Sequence, residues 1–215
     1  FHFGEWLEPD VSSMDTMKKN MMFGAPEVAT AYYYKSAGLA ARIAEILGKD
    51  RDAEKYRTIA EGARNAYRYT CTKNGVISSN RQAEYVRPIA FGLLDKTESQ
   101  KAADQLAAMV ADNNDHLNTG FLATPFLCRV LSDYGHTDTA YRLLLQDTAP
   151  SWLYPVKHGA TTIWESWDGV REDGTVHDSL NHYSYGAISG WLMGDVCGIR
   201  LIEGKLTIAP KPSQT

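Results

Sequence analysis

The chain has 215 residues, 44% of them hydrophobic and 22% charged, with a formal net charge of −4. That make-up belongs to a globular protein with one sizeable core and excludes a disordered tail. Lysines and arginines are scattered among the acids without a basic run, which excludes nucleic acid as a partner, and no apolar run approaches the roughly 20 residues of a membrane span.

The opening Phe1-His2-Phe3-Gly4-Glu5-Trp6 has neither an initiator Met nor a signal-peptide pattern, and it reads as the interior of a longer sequence. Cys71, Cys128 and Cys197 are widely spaced and odd in number, so neither a disulfide framework nor a zinc knuckle is indicated. Residues 1–25, with a Met-rich patch at Met14, Met17, Met21 and Met22, lack sustained periodicity and read as an irregular approach segment.

From Pro26 a helix is expected to run to Leu47, carrying Val28, Ala31, Tyr32, Leu39, Ile43 and Ile46 before Gly48. Asp50 or Asp52 caps a second, to about Tyr69, with Tyr56, Ile59, Ala60, Ala63 and Tyr67 on one face; the two form an antiparallel hairpin. Lys73-Asn74-Gly75 is a turn and Val76-Ile77 a short extended piece. Further helices are expected over 82–94 (kinked or delayed by Pro88), 98–112, 121–134 with Pro125 in its first turn, 138–145 and 184–197. Residues 199–208 alternate as a β-hairpin about Glu203-Gly204.

About seven helices joined by short turns predict an all-α fold of stacked hairpins, either a solenoid or part of a helical toroid. No fixed repeat period is present, which favours the toroid. Its two expected units are residues 1–198, a partial helical barrel, and 199–215, the start of a β-segment.

One stretch stands apart from the helices: Gly159-Ala-Thr-Thr-Ile-Trp164-Glu165-Ser-Trp167-Asp168-Gly169, followed by Ser179-Leu-Asn-His182-Tyr183. It is too short and too glycine-bounded for an amphipathic helix and reads as an ordered loop, where function is often carried. A carboxylate between indoles suits carbohydrate chemistry: ring faces stack on the C–H face of a sugar, and partial burial raises a carboxyl pKa toward proton transfer near neutrality. The competing reading makes Trp164 and Trp167 core, with Glu165 paired to Arg171 or capping the next helix. The remaining histidines show no metal-ligand spacing, and there is neither a phosphate loop nor a Gly-x-Ser-x-Gly elbow, so no cofactor or metal is expected.

These segments, with Thr119-Gly-Phe-Leu-Ala-Thr-Pro125, Pro150-Ser-Trp152-Leu-Tyr154 and Phe3-Gly4-Glu5-Trp6-Leu7, resemble the C-terminal half of the catalytic domain of bacterial α-L-rhamnosidases over about residues 3–200. The resemblance implies an (α/α)₆ barrel of twelve helices followed by a β-sandwich, and an inverting glycosidase acting on rhamnose-containing glycosides. By motif position Glu165 resembles the family's general base, His182 a residue contacting the sugar and Trp6 a wall of the pocket, with Trp164 and Trp167 as further candidate sugar contacts. The family's general acid belongs to an upstream Asp-Glu-Arg-type motif with no counterpart here, so the 215 residues alone are expected to be inactive and to self-associate through exposed helix faces. Many relatives have Asp where this chain has Glu5, which leaves a sugar contact from that position open. Two alternatives remain: a non-catalytic helical carbohydrate-binding or scaffold module, and a helical-barrel glycosidase of another specificity. The first would turn Glu165 away from any cleft.

Overall fold

The computed structural model describes residues 3–213. Phe1 and His2 of the opening segment, and the last two residues of the 199–215 unit, lie outside the described residues. The approach segment is not wholly irregular: α1 spans Ser13–Phe23, with the Ser12 hydroxyl accepting the Asp15 amide at its start. Its polar Thr16 and Asn20 face the body of the protein while Met14, Met21, Met22 and Phe23 face solvent. This inverted pattern is why apolar periodicity did not reveal the helix.

α2 (Pro26–Ile46) and α3 (Asp50–Cys71) form the first expected hairpin. Its seam is built from small residues: Val28, Ala31, Ala37, Ala41 and Ala44 are buried on α2, and Ala53, Ala60 and Ala63 on α3. Alanines let helix axes approach closely, toward the low end of the usual 8–10 Å. The bulkier apolar residues of the same helix pattern point outward, with Leu39 56%, Ile43 57%, Ile46 73% and Leu47 63% exposed.

α3 runs into strands β1 (Thr72–Lys73) and β2 (Val76–Ile77), paired Thr72↔Ile77 about Asn74-Gly75, both at positive φ. α4 (Gln82–Phe91) and α5 (Lys96–Asp112) make the second hairpin, and α6 (Thr124–Asp133) and α7 (Thr137–Leu145) the third. α4 starts at Gln82 and carries Pro88 inside it, giving up one backbone bond, and ends at Gly92 in the left-handed region. α5 begins with a full capping box: Asp95 accepts the Glu98 amide while Glu98 accepts the Asp95 amide. The core lies between these two hairpins, where Val86, Leu106, Val110, Leu127, Leu131 and Leu143 are fully buried.

A short α8 (Leu153–Lys157), for which no helix was expected, precedes the Gly159–Gly169 loop, and the last helical stretch changes pitch along its length. It is 3₁₀ over Ser184–Ala187, α (α9) over Ile188–Trp191 and π over Leu192–Val196. Asp195, wholly buried in the π turn, accepts ion pairs from Arg200 and, at 2.9 Å, from Lys211. Those bonds tie the hairpin β3 (Ile199–Ile202) and β4 (Lys205–Ile208), paired Ile199↔Ile208, to the helical body. The three cysteines are free, and no described helix is long and apolar enough to cross a membrane.

Candidate active site

Three segments distant in sequence meet around Glu165. The first is the strap Phe3–Trp6, fixed from beneath by Glu5. That side chain is buried: Oε2 takes Arg87 Nη1 at 2.5 Å, and Oε1 accepts the amides of Leu122 (3.2 Å) and Ala123 (3.0 Å). Arg87, 1% exposed, also grips Glu27 of α2 at 2.6 Å, and Glu27 accepts Tyr67 Oη of α3 at 2.8 Å. Burial raises the Glu27 carboxyl above its ordinary range although Arg87 and Tyr67 pull it down. Both Glu5 oxygens thus have protein donors, and the side chain anchors the strap.

Because Glu5 occupies the amides of Leu122 and Ala123, the expected 121–134 helix begins only at Thr124. The freed Phe121 amide donates instead to the Trp6 carbonyl at 2.9 Å. Gly120 makes this approach possible, since a Cβ there would collide with that same carbonyl.

The third segment holds Glu165 and His182. The Glu165 amide donates to Ser179 O at 2.8 Å, and the Ser179 amide returns to Glu165 Oε2 at 3.1 Å. Among the described residues no protein group donates to Oε1. His182 donates its amide to Ile163 O at 2.7 Å, and its ring stacks on Phe121 at 4.7 Å and 18°. Ring Nδ1 accepts the Ser184 amide at 3.4 Å, which leaves Nε2 as the proton-bearing nitrogen of the neutral imidazole.

Phe3, Gly4, Trp6, Phe121, Leu122, Glu165 and His182 line one cleft of about 590 Å³. Of the expected site residues, the structure therefore brings Glu165, Trp6 and His182 together. Trp164 and Trp167, 4% and 6% exposed, are packed in the interior outside this lining. Trp167 stacks on Tyr185 at 3.8 Å and meets Trp152 edge-on at 5.3 Å, and Tyr185 in turn meets Phe121 at 5.2 Å. Trp167 and Trp152 thus back the cleft residue Phe121 through this aromatic chain. Arg171 pairs with Asp168 at 3.2 Å, so the alternative Glu165–Arg171 pair does not form. Phe121 and Leu122 were missed as cleft residues; Gly120, standing where a helix was expected to start, was the signal of a close backbone approach.

Chemically, the cleft offers one half-engaged carboxylate, an aromatic wall and an imidazole donor. Residues 1–196 match the model of the bacterial alpha-L-rhamnosidase 6 hairpin glycosidase domain. An alpha-L-rhamnosidase of Streptomyces avermitilis is 39% identical over 98% of this chain and 20% of its own length, and one of Formosa agariphila is 34% identical over 98% and 23%. The crystal structure of a Streptomyces avermitilis alpha-L-rhamnosidase complexed with L-rhamnose superposes with a TM-score of 0.84 at 37% identity, over 98% of this chain and 20% of that one. That of an Aspergillus terreus enzyme gives 0.90 at 28%, over 99% and 26%. The chain thus spans about a fifth to a quarter of the relatives it matches. Its stacked hairpins are part of a six-hairpin helical toroid, and the chain belongs to the bacterial α-L-rhamnosidase six-hairpin glycosidase family.

Proposed function

We propose that this domain serves in the hydrolysis of terminal α-L-rhamnosides with inversion, with Glu165 as the general base. The observation that carries the reading is the state of its carboxylate in the cleft lining: Oε2 is held by the Ser179 amide while Oε1 has no protein donor among the described residues. A base that must take a proton from water needs this combination of fixed orientation and an open acceptor. In an inverting site, water attacks the anomeric carbon as it yields its proton to the base, and an acid on the opposite face protonates the departing oxygen; the two carboxyls stand about 6.5–9.5 Å apart. Glu165 is the one carboxylate among the residues lining the cleft, so the acid comes from elsewhere in the enzyme. Trp6 presents its indole face to the C–H face of the sugar and His182 Nε2 donates to a hydroxyl. The L-rhamnose bound to a 37%-identical relative supports the choice of sugar.

The test is Glu165→Gln in the natural full-length protein, assayed on an aryl α-L-rhamnoside with the first-formed anomer read by NMR. Wild type is expected to release β-L-rhamnose; the variant loses about two to four orders of magnitude in kcat and keeps its affinity for L-rhamnose. Near-normal turnover by the variant would remove Glu165 from the reaction. Rhamnose binding with no turnover by wild type would favour a binding module.

A further inference from the structure

The limbs that carry Glu165 and Ser179 form a long backbone ladder with one gap. Pairing runs from Arg171 N→Thr175 O and the Val170↔Val176 bridge to His177 N→Gly169 O, then resumes at Glu165 N→Ser179 O and His182 N→Ile163 O. Between them, at Ser166, Trp167 and Asp168 opposite Asp178, no cross-limb backbone bond is made. The gap adjoins the two residues that fix the Glu165 carboxylate. Asp178 itself sits at φ 56, in the left-handed region that costs a non-glycine residue energy unless its surroundings hold it there.

Side chains span that gap, and His177 is their hub. Its Nδ1 lies 2.9 Å from Asp178 Oδ2, which also accepts Ser166 Oγ at 2.6 Å. Its Nε2 lies 2.9 Å from the Asp168 carbonyl and 3.1 Å from Asp168 Oδ1. Both ring nitrogens face acceptors, so the doubly protonated imidazolium satisfies the whole set, whereas a neutral ring turns one lone pair against an acceptor. The charged groups around it are Asp168, Asp178 and Arg171 on its own loop, with Glu8 and Asp10, which follow the strap, lining with it a second cleft separate from that of Glu165. Burial opposes its charge, but the Asp178 hydrogen bond and the two carboxylates outweigh it and hold the ring above its ordinary pKa.

We propose that His177 is a positioning residue for the reaction, acting through Asp178 and the Ser179 amide to hold the Glu165 carboxylate in line with the attacking water. It is not among the residues that line the Glu165 cleft, and among the described residues its ring nitrogens bond only Asp178 and Asp168. The proposal rests on the reading of Glu165 as base, and the experiment separates the two. His177→Phe, His177→Gln and Glu165→Gln are compared in the natural full-length protein for kcat and KM on an aryl α-L-rhamnoside, for L-rhamnose affinity, and for kcat from pH 5 to 9. His177→Phe should lower kcat about a hundredfold, the effect of a roughly 1 Å misplacement, with KM and L-rhamnose affinity within about twofold. His177→Gln should restore roughly a tenth of wild-type kcat, because a carboxamide donates to one of the two acceptors. Its deficit should narrow as pH rises, since wild type then loses its own imidazolium. Normal kcat in His177→Phe beside an inactive Glu165→Gln would overturn the positioning role alone. Joint loss of affinity and kcat at a pH-independent ratio would reduce His177 to a structural residue and also overturn it. Full activity in Glu165→Gln would instead remove the base on which the proposal stands.

Discussion

Replacing Arg87 by Met tests the claim that the cleft is held from beneath by a buried ion cluster. Arg87 donates to Glu5 at 2.5 Å and to Glu27 at 2.6, 3.1 and 3.2 Å, and is 1% exposed. Removing one member of a buried pair typically costs about 3–5 kcal/mol, because the charge left behind is uncompensated. Here the low end applies. Glu5 keeps the Leu122 and Ala123 amides, and Glu27 keeps Tyr67. About 3 kcal/mol corresponds to a fall in Tm of roughly 6–12 °C for a chain of this size. The loss must also depend on pH. Burial already raises Glu27 against the pull of Arg87, and without the guanidinium it rises further. A carboxyl whose folded pKa exceeds its unfolded one binds more protons folded than unfolded, so its contribution weakens as pH climbs from the unfolded value through the folded one. The deficit of Arg87→Met should therefore be smaller at pH 5 than at pH 8. Chemical denaturation of wild type and variant at the two pH values measures it. A cost below about 1 kcal/mol, equal at both, would refute the reasoning, since no stranded charge would then exist.

Gly120→Ala places a Cβ against the Trp6 carbonyl, so the strap must shift; L-rhamnose affinity should fall at least tenfold, about 1.4 kcal/mol, with a reduced Tm, read by calorimetry. Affinity equal to wild type would show that Trp6 is not a wall of the sugar site. His182→Ala should weaken L-rhamnose binding by about 1–3 kcal/mol, the usual cost of an unpaired polar group, with little change in Tm. A large drop in Tm at unchanged affinity would make His182 a structural residue. Trp164→Phe, altering an interior indole outside the cleft lining, should lower Tm while leaving KM within about twofold; a tenfold KM increase alone would place Trp164 at the sugar.

Much of the helical plan was legible because it follows local chemistry. Pro26 with Glu27 opens α2, Asn74-Gly75 turns β1 into β2, and Glu203-Gly204 turns β3 into β4. The failures share a cause: each depended on what lay across the fold. α1 hid because its buried side is polar, and on α2 the alanines are buried while Leu39, Ile43 and Ile46 face solvent. The start of α6 moved because Glu5, 118 residues from Ala123, claims amides that a helix would have left for its own cap. At the site, residue types pointed to Glu165 and the resemblance to Trp6 and His182. The sequence could not show that the flanking indoles turn inward, or that Arg171 belongs to Asp168.

The strap that carries Trp6 also bears on how the protein folds. Tyr185 Oη reaches Leu7 O across 178 residues and Glu5 reaches Ala123 across 118, whereas Glu165 and Ser179 are 14 apart. Closing the longest of these loops costs about 2 kcal/mol more in chain entropy than closing the shortest. The hairpins can therefore form first from neighbouring segments, with the strap docking onto them afterwards. Detachment of the strap is then an opening that spares the hairpins but takes Glu5 from the buried Arg87. Any ligand that binds only the docked form, at roughly a hundredfold excess over its Kd, adds about 2.7 kcal/mol against that opening.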